Sequence, residues 1–521
     1  MWKYPPMSGM RDVAELVSEA AADHPDRLAL VEAGGRSMTW TQLDDEVGRI
    51  ATGLGAAGIV GGHRVLIAVG NRIEFVTTYL GVLRAQAVAV PVNPRSTPGE
   101  LGRMVEDSGA RMVVTDADTV VAVREALESR EAPPRIVAIG ATLRPGERSY
   151  DQLRAMPARP VPPLQDPEKL AALLYTSGTS GRPRAAMLTH RALLANIEQV
   201  ARVEPPMMHG DDVVLGVLPL FHVYGLNAVL GGVLRHRAKL VLVDRFDPQE
   251  TLSLIDDEAC SVIPIAPPVF AYWQDEEHLA EHLGPVRLML SGSAPLSTEL
   301  VERFTERTGI PVHQGYGLTE ASPVVTSTLC SVVPQVGSVG AALPGVEIRL
   351  VDESGRTPEG VDPGEIQIRG DNLFSGYWPD GAGGPDDEGW WSTGDVGFLD
   401  ASGDLFLVDR LKELVIVSGF NVYPVEVEDV IEEVDGVADV AVIGVDDPLT
   451  GEAVVAYVRA PGADPEAIAD AVRRHCEVRL ARFKQPSRIE VVDELPKTVT
   501  GKVQKGRLRG IERRRTLGLL E

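Results

Sequence analysis

The stretch LAALLYTSGTSGRPRAAMLTHRALLANIEQV, residues 170–200, decides the fold class. Leu170 to Leu174 read as an apolar strand and Ala192 to Val200 as a helix, with a turn of Ser, Thr and Gly between them. A strand that feeds a helix in this way is the unit from which α/β sheets are assembled. The turn is also a chemical signal. Thr176, Ser177, Gly178, Thr179, Ser180 and Gly181 offer backbone N–H groups without side-chain obstruction, plus four hydroxyls, and Arg182 and Arg184 supply positive charge. Such a loop can cradle phosphate. It is not a Walker A loop, because no G-x-x-x-x-G-K-[ST] is present. An isolated Ser/Thr/Gly turn is most often a solvated loop; the order and length of this one are unusual.

Working outward, helical and strand-like segments alternate from Val13 to Asp116: Leu43 to Ala57 is amphipathic, Arg64 to Val69 strand-like, Phe75 to Ala85 helical and Met112 to Thr115 strand-like again. Crossover units on a largely parallel sheet are expected. Glu131 to Pro167 carries eight prolines and reads as a surface connection. After the loop, α/β alternation resumes to about Gly315, and from Gly337 to Leu407 short strands with Gly and Pro turns suggest a β-rich subdomain. The C-terminal part has its own pattern: strand ELVIVSG, a helix from Pro424, strands DVAVIGV and EAVVAYV, the helix PEAIADAVRRHCEVRL and a basic tail.

Composition bounds the function. At 521 residues the chain is too long for one ordinary core. Fifty Lys and Arg against 75 Asp and Glu leave a net charge of −25, which argues against nucleic acid as a partner. Cys260, Cys330 and Cys476 are far apart without C-x-x-C spacing, so neither a disulfide framework nor a zinc site is supported, and a cytoplasmic location is expected. Val213 to Leu234 runs 22 residues without Asp, Glu, Lys or Arg, long enough to span a bilayer. Pro219 and four glycines interrupt it, and it reads instead as a buried strand, a turn and a helix. Two motif matches are decoys. GLGAAG at 53–58 ends a helix and precedes a strand, opposite to a dinucleotide fingerprint, and HLAEH at 278–282 has no supporting ligand.

Four further stretches stand in order with the loop: QGYGLTEASP (314–323), STGDVGFLD (392–400), DRLKELVIVSGFNVYPVEVE (409–428) and PKTVTGKVQK (496–505). Together the five resemble the adenylate-forming superfamily of acyl-CoA synthetases, nonribosomal adenylation domains and luciferases, over nearly the whole chain. The resemblance implies a large N-terminal AMP-binding domain (1–408) of α/β subdomains plus a β-rich subdomain. It further implies a hinge at 409–412 and a small mobile α+β domain (413–521). The cofactors implied are ATP and Mg²⁺, with CoA as co-substrate. By resemblance the loop residues Thr176 to Gly181 and Arg184 hold phosphates, Gln314, Gly315, Tyr316, Gly317 and Leu318 border the nucleotide, and Thr319 contacts the α-phosphate. Glu320 and Thr176 attend the magnesium, a hard ion suited to oxygen donors. Asp395 holds the ribose hydroxyls, and Arg410 the ribose and phosphates. Ser293, in SGSAP (291–295), borders adenine and the acyl chain, Gly419 meets the thiol arm of CoA, and Lys502 is the catalytic lysine that stabilises charge developing on the α-phosphate. Read alone, YGLTE is a capped strand-to-helix turn, the Asp395 loop an Asx turn and the tail a solvated charge run.

His222, in LPLFHVYGL, stands where the resembling acyl- and aryl-CoA ligases place a histidine at the carboxylate end of the acyl pocket, and where amino-acid-activating relatives typically carry an Asp. An imidazole cannot pair with a substrate ammonium in that way, so an acid without an α-amino group is favoured. The family's usual PKG is here Pro183, Arg184, Ala185. If the glycine serves a positive φ, Ala185 costs about 1–2 kcal/mol. The implied activity is an ATP-dependent acid:CoA ligase for a fatty or aryl acid. An acyl-AMP ligase serving a separate carrier protein is the nearest rival, and a non-catalytic nucleotide-binding protein the rival from another class. Peripheral membrane contact and a homodimer are compatible with this reading. Lys502→Ala is expected to abolish acyl-adenylate formation, followed as pyrophosphate release, and to spare thioester formation from supplied adenylate; equal loss in both half-reactions would count against the role.

Overall fold

The computed structural model describes residues 9–177, 183–293, 296, 298–352, 355–358, 364–410, 415–422, 424–496, 503 and 505–516. Two large sheets carry the N-terminal part. The first has seven strands in the order 148–149, 135–139, 112–116, 64–68, 88–91, 170–177, 183–189, all parallel except the last pair. Residues 170–177 and 183–189 therefore form a hairpin, and the helix His190–Ala201 starts only after its second strand. The expected strand–turn–helix is thus a strand–loop–strand–helix. RAAMLT pairs as a strand because every residue from Ala185 to Thr189 is buried, and Thr189 then caps the helix by accepting from the Ala192 N–H.

The second sheet has nine strands, with a parallel centre of 288–291, 262–265, 213–216 and 239–242. Its far edge is supplied by the N-terminal strands Leu28–Glu32 and Ser37–Thr39, so the chain visits this sheet first and returns to it after the seven-stranded one is complete. Buried residues of both sheets and of the helices Trp40–Ala56, Ile73–Arg84 and His190–Ala201 merge into one core. Val213 to Leu234 is a strand, a turn and helix, as expected. Among the described residues, no helix is long and apolar enough to cross a membrane.

The supposed connection 131–167 needs correction. Arg135–Ile139 is a sheet strand and Tyr150–Arg154 a helix with a capping box on Ser149. The prolines flank these elements rather than interrupt them, and Val137 and Ala138 are buried. The β-rich subdomain is a four-stranded antiparallel sheet of 347–351, 364–369, 391–399 and 405–410. The C-terminal sheet has five strands. Val440 and Val442 face the helices Pro424–Glu432 and Pro465–Arg479, whereas Ala441 and Ile443 face the terminal helix Lys505–Thr516, the alternation required of a strand covered on both sides.

Asn71 joins the two large sheets. Following the strand Arg64–Ala68, its buried amide donates to the carbonyls of Gly216 (3.1 Å) and Leu218 (2.8 Å), and its carbonyl accepts from Leu220 N–H (2.9 Å). Arg72 beside it bridges Asp118 and Asp244, one from each sheet. The clamp fixes the turn that carries His222. Replacing Asn71 by Ala leaves several buried backbone groups unpaired, so a loss of about 2–4 kcal/mol is expected. Calorimetry should show a lowered Tm, together with weakened turnover because the His222 turn loses its support; an unchanged Tm would refute the clamp.

Candidate active site

The cleft opens at the carboxyl ends of the central parallel strands, where open α/β sheets bind ligands. Pro264, Leu290 and His313 line it from three adjacent strands in register, followed by Ser291 and Gln314. The strand Val312–Gly317 then departs from the parallel pattern and pairs antiparallel with Val324–Ser327. The approach is so close that a Cβ at Gly315 would lie 2.6 Å from the Thr326 carbonyl oxygen, and one at Gly317 2.4 Å from that of Pro323. Glycine is required at both positions. The turn between these strands holds Thr319 and Glu320 in a single 3₁₀ turn at the cleft wall.

Of the residues singled out in the sequence, Thr176, His222, Ser293, Gln314, Gly315, Tyr316, Gly317, Leu318, Thr319, Glu320, Asp395 and Gly419 all line this one cleft. Gly178, Thr179, Ser180, Gly181 and Lys502 lie outside the described residues, and the side chains of Ser177 and Arg410 are likewise not described. The Arg410 backbone pairs with Asp395 across two strands. Arg184 is not among the cleft-lining residues. Its guanidinium lies 3.6 Å from the Tyr377 ring centroid, a cation–π contact, and the Tyr377 hydroxyl donates to Glu320 Oε1 at 2.6 Å. Arg184 thus reaches the site through Tyr377, which no motif had marked. Its neighbour Ala185 sits in strand conformation opposite Tyr175 and is absent from the residues with positive φ, so the suspected backbone cost is not incurred.

At the polar end, the Tyr316 hydroxyl donates to Asp395 Oδ2 at 2.6 Å, and Thr393 turns the loop by accepting from the Asp395 N–H. These two bonds orient a carboxylate toward the cleft, as needed to accept from vicinal hydroxyls. Glu320 and Thr176 are the oxygen donors available to a magnesium ion, and a single carboxylate suits an ion whose remaining ligands come from phosphates and water. Among the described residues, Ser291 Oγ, only 4% exposed at residue level, has no hydrogen-bond partner although the residue lines the cleft, which leaves it for a ligand.

His222 stands between the polar and apolar ends. Its Nδ1 accepts from the Tyr224 N–H at 3.3 Å, which leaves the proton on Nε2, and burial pushes its pKa down to about 4. It is therefore a neutral donor at pH 7. Beyond it a π-helix, Tyr224–Gly231, continues as the short helix Gly232–His236. Tyr224, Ala228, Gly232 and His236 recur at four-residue steps and all line the cavity, faced by Ile197, Val200, Met207 and Met208. At the far end, burial and then Arg235, His209 and Arg237 push the His236 imidazole down to about 4, whereas Asp212 opposes them. A neutral imidazole there offers nothing to pair with a distal carboxylate. Val324 and Thr326 also line the cavity, whereas the helical stripe carries no sequence signal because its spacing is that of any buried helix.

Gly419 comes from the C-terminal part. It has φ +80° and faces Ser293, itself in the left-handed region at φ +76°, with a Cβ on Gly419 only 3.6 Å from that of Ser293. Two left-handed residues thus meet where the two parts of the chain join over the cleft; the conformation is costly for Ser293 and free for Gly419.

A nucleotide-shaped polar end, an apolar tunnel and a neutral donor between them define a protein that activates a carboxylic acid with a nucleotide. Residues 17–378 match the AMP-binding enzyme family and residues 426–502 its C-terminal domain, and the chain belongs to this family, within its acyl-CoA synthetase branch. It is 34% identical to 4-coumarate–CoA ligase-like 9 of Oryza sativa subsp. japonica, over 95% of this chain and 92% of that protein. It is 30% identical to the long-chain-fatty-acid–CoA ligase of Bacillus subtilis, over 96% and 94%. The solved amide bond synthetase of Marinactinospora thermotolerans superposes with a TM-score of 0.85 at 28% identity, covering 96% of this chain and 99% of that one.

The His222 pKa carries a pH signature. Unfolded, a histidine binds its proton near pH 6.5, whereas the native imidazole takes it only near pH 4. Between these values the unfolded state binds more protons, so His222 favours unfolding progressively as pH falls from 6.5 to 4. His222→Gln should flatten the fall of Tm across that window, measured in parallel thermal melts; identical Tm–pH curves would rule this out.

Proposed function

We propose that the chain is an AMP-forming acid:CoA ligase. The carboxylate of an aryl or fatty acid attacks the α-phosphate of ATP, giving acyl adenylate and pyrophosphate, and the CoA thiol then attacks the acyl carbon and displaces AMP. The observation that carries this reading is the continuity of one cavity from Asp395 and Glu320, through His222, to the apolar stripe ending at His236. There an acid can lie with its carboxylate beside a nucleotide phosphate.

The residues divide the work. Asp395, oriented by Tyr316, holds the ribose; Thr319 and the 176–181 loop hold phosphate oxygens; Glu320, held by Tyr377, binds magnesium with Thr176. The ion supplies charge neutralisation of the phosphates. His222 donates from Nε2 to a carboxylate or acyl oxygen. Lys502 is the charge-stabilising lysine of the first step and Gly419 the backbone that admits the CoA arm in the second. Support for two separate faces comes from the C-terminal sheet. Gly419 is at the cleft, whereas Val503, next to Lys502, packs with the terminal helix on the sheet face opposite the core of Val415 and Val422. The small domain, from about 413, rotates about 409–412 to exchange them. We place the enzyme in the cytoplasm, in keeping with three free cysteines.

The acid's tail lies along Tyr224, Ala228, Gly232 and His236, a stripe that at 1.5 Å per residue is roughly 15–18 Å long. This suits an elongated acid with no amino group beside the carboxylate and no carboxylate at its far end. Gly232 stands about two-thirds of the way along it, where a Cβ would come within 3.2 Å of Met208 Cε. Pyrophosphate release should be measured over acetate, medium and long fatty acids, and benzoate- and cinnamate-type acids. Gly232→Leu is expected to depress turnover of the longer acids by about tenfold or more, because a side chain then blocks the tunnel, and to spare the shorter ones. Loss that is uniform across chain lengths would place the acyl tail elsewhere.

A further inference from the structure

The two parts of the chain are held together over the cleft by a contact that no motif marks. Lys484 lies on the 3₁₀ turn Arg482–Lys484 of the C-terminal part, and its Nζ is 2.9 Å from Glu100 Oε1 and 2.9 Å from Glu426 Oε1. Glu100 belongs to the N-terminal part, in the first turn of the helix Pro98–Ser108, and Glu426 to the helix Pro424–Glu432 that follows the Gly419 turn. All three side chains are removed from water, at 12%, 6% and 7% exposure. The other oxygen of Glu100 is occupied at home, accepting from the backbone N–H and hydroxyl of Thr97 in a capping box. Glu426 Oε2 is buried without a partner among the described residues. Beside this cluster three rings cross the same junction in series. Phe221, adjacent to His222, stacks on Phe420, adjacent to Gly419, at 6.1 Å, and Phe420 packs on Phe483, adjacent to Lys484, at 4.7 Å.

We propose that Glu100, Lys484 and Glu426 form a latch that positions the small domain for thioester formation and has no part in adenylate formation. Two carboxylates and one ammonium leave a buried excess of one negative charge, so the arrangement depends on the lysine. Without it, two acids would face each other out of water, a state that the domains relieve by separating. The rings tie the latch to chemistry. Each of Phe221, Phe420 and Phe483 is the sequence neighbour of a residue that matters at the site or in the latch, so closing the ion cluster seats Gly419 at the cleft beside His222. Burial alone would pull the Lys484 pKa down; its two carboxylates more than offset this and raise it, so the ammonium is charged throughout the working range.

This proposal rests on the two-step reading of the function, and the test separates the two. With the full-length chain, pyrophosphate release with an accepted acid reports the first step, and single-turnover reaction of supplied acyl adenylate with CoA reports the second. Lys484→Gln is expected to slow the second step by roughly 10- to 100-fold while pyrophosphate release stays within about threefold. Glu100→Gln, which alters only the N-terminal part and keeps an acceptor for Thr97, should reproduce the effect, and Lys484→Arg should restore most of the rate. Equal loss in both steps, or an unaffected second step, would overturn the latch. Spin labels at exposed Val121 and Val478, in a protein with Cys330→Ser, add a readout independent of catalysis. The distance between them should shift or broaden in Lys484→Gln and remain as in the parent in Lys484→Arg. An unchanged distribution overturns the latch even if no acid is turned over, whereas a shifted distribution with no pyrophosphate from any acid overturns the ligase reading and leaves the latch standing.

Discussion

The close approach of the strand Val312–Gly317 to Val324–Ser327 is the constraint on which the site depends. Up to Gln314 this strand belongs to the parallel sheet and ends where its neighbours end. From Gly315 on, antiparallel pairing with a strand that leaves no room for a Cβ bends it across the mouth of the sheet. Everything at the polar end follows from that bend: Tyr316 is aimed at Asp395 from the β-rich subdomain, and the 3₁₀ turn presents Thr319 and Glu320. A glycine in a strand ordinarily weakens it; here two mark a backbone-to-backbone approach that side chains would forbid. Asn196 completes the support by accepting from the Val324 N–H and donating to the Val324 carbonyl, so the partner strand is pinned to the helix that follows the phosphate loop.

The net charge of −25 does not describe the site. Among the described residues, the cleft lining includes only two carboxylates, Glu320 and Asp395, and each is engaged by a tyrosine hydroxyl. The acidity is spread over the outside, where it disfavours nucleic acid without repelling a small nucleotide at the cleft. Inside, the tuning is by desolvation. His222 and His236 are both driven neutral, and neutral imidazoles donate hydrogen bonds to an oxygen without trapping the substrate carboxylate or AMP as an ion pair would.

Much of this was legible in the sequence because each motif is a short run on one strand or on the turn that ends it, so that residues adjacent along the chain stay adjacent in space. QGYGLTE, STGD and the Thr176 loop each contribute neighbours to one wall, so twelve of the anticipated residues converge. What escaped was contact between distant segments. Tyr377 lies 57 residues from Glu320, and Asn71 is 145 residues from Gly216, with nothing local to mark either. The strand after the Thr176 loop escaped for another reason: RAAMLT has too little alternation to signal a strand when both of its faces are buried. The π-helical stripe has the composition of an ordinary core helix, and only its placement along the cavity gives Gly232 and His236 a meaning.

On the proposed rotation of the small domain, a junction that forms and parts in every turnover cannot be strong. Stacked ring pairs contribute roughly 0.5–1.5 kcal/mol each beyond area burial, and a buried ion cluster recovers through Coulomb attraction little more than its desolvation cost. The junction seen here combines these two kinds of contact, with an unpaired carboxylate oxygen on Glu426 that lowers its strength further. An apolar interface of the same size would hold the parts together permanently, and a surface ion pair would not orient them. A buried, imperfectly compensated charge cluster does something different: it is specific about geometry while remaining close to balance in free energy. That combination suits the proposed seating and release of Gly419 against Ser293, a seam at which Ser293 holds a costly left-handed φ and Gly419 a free one.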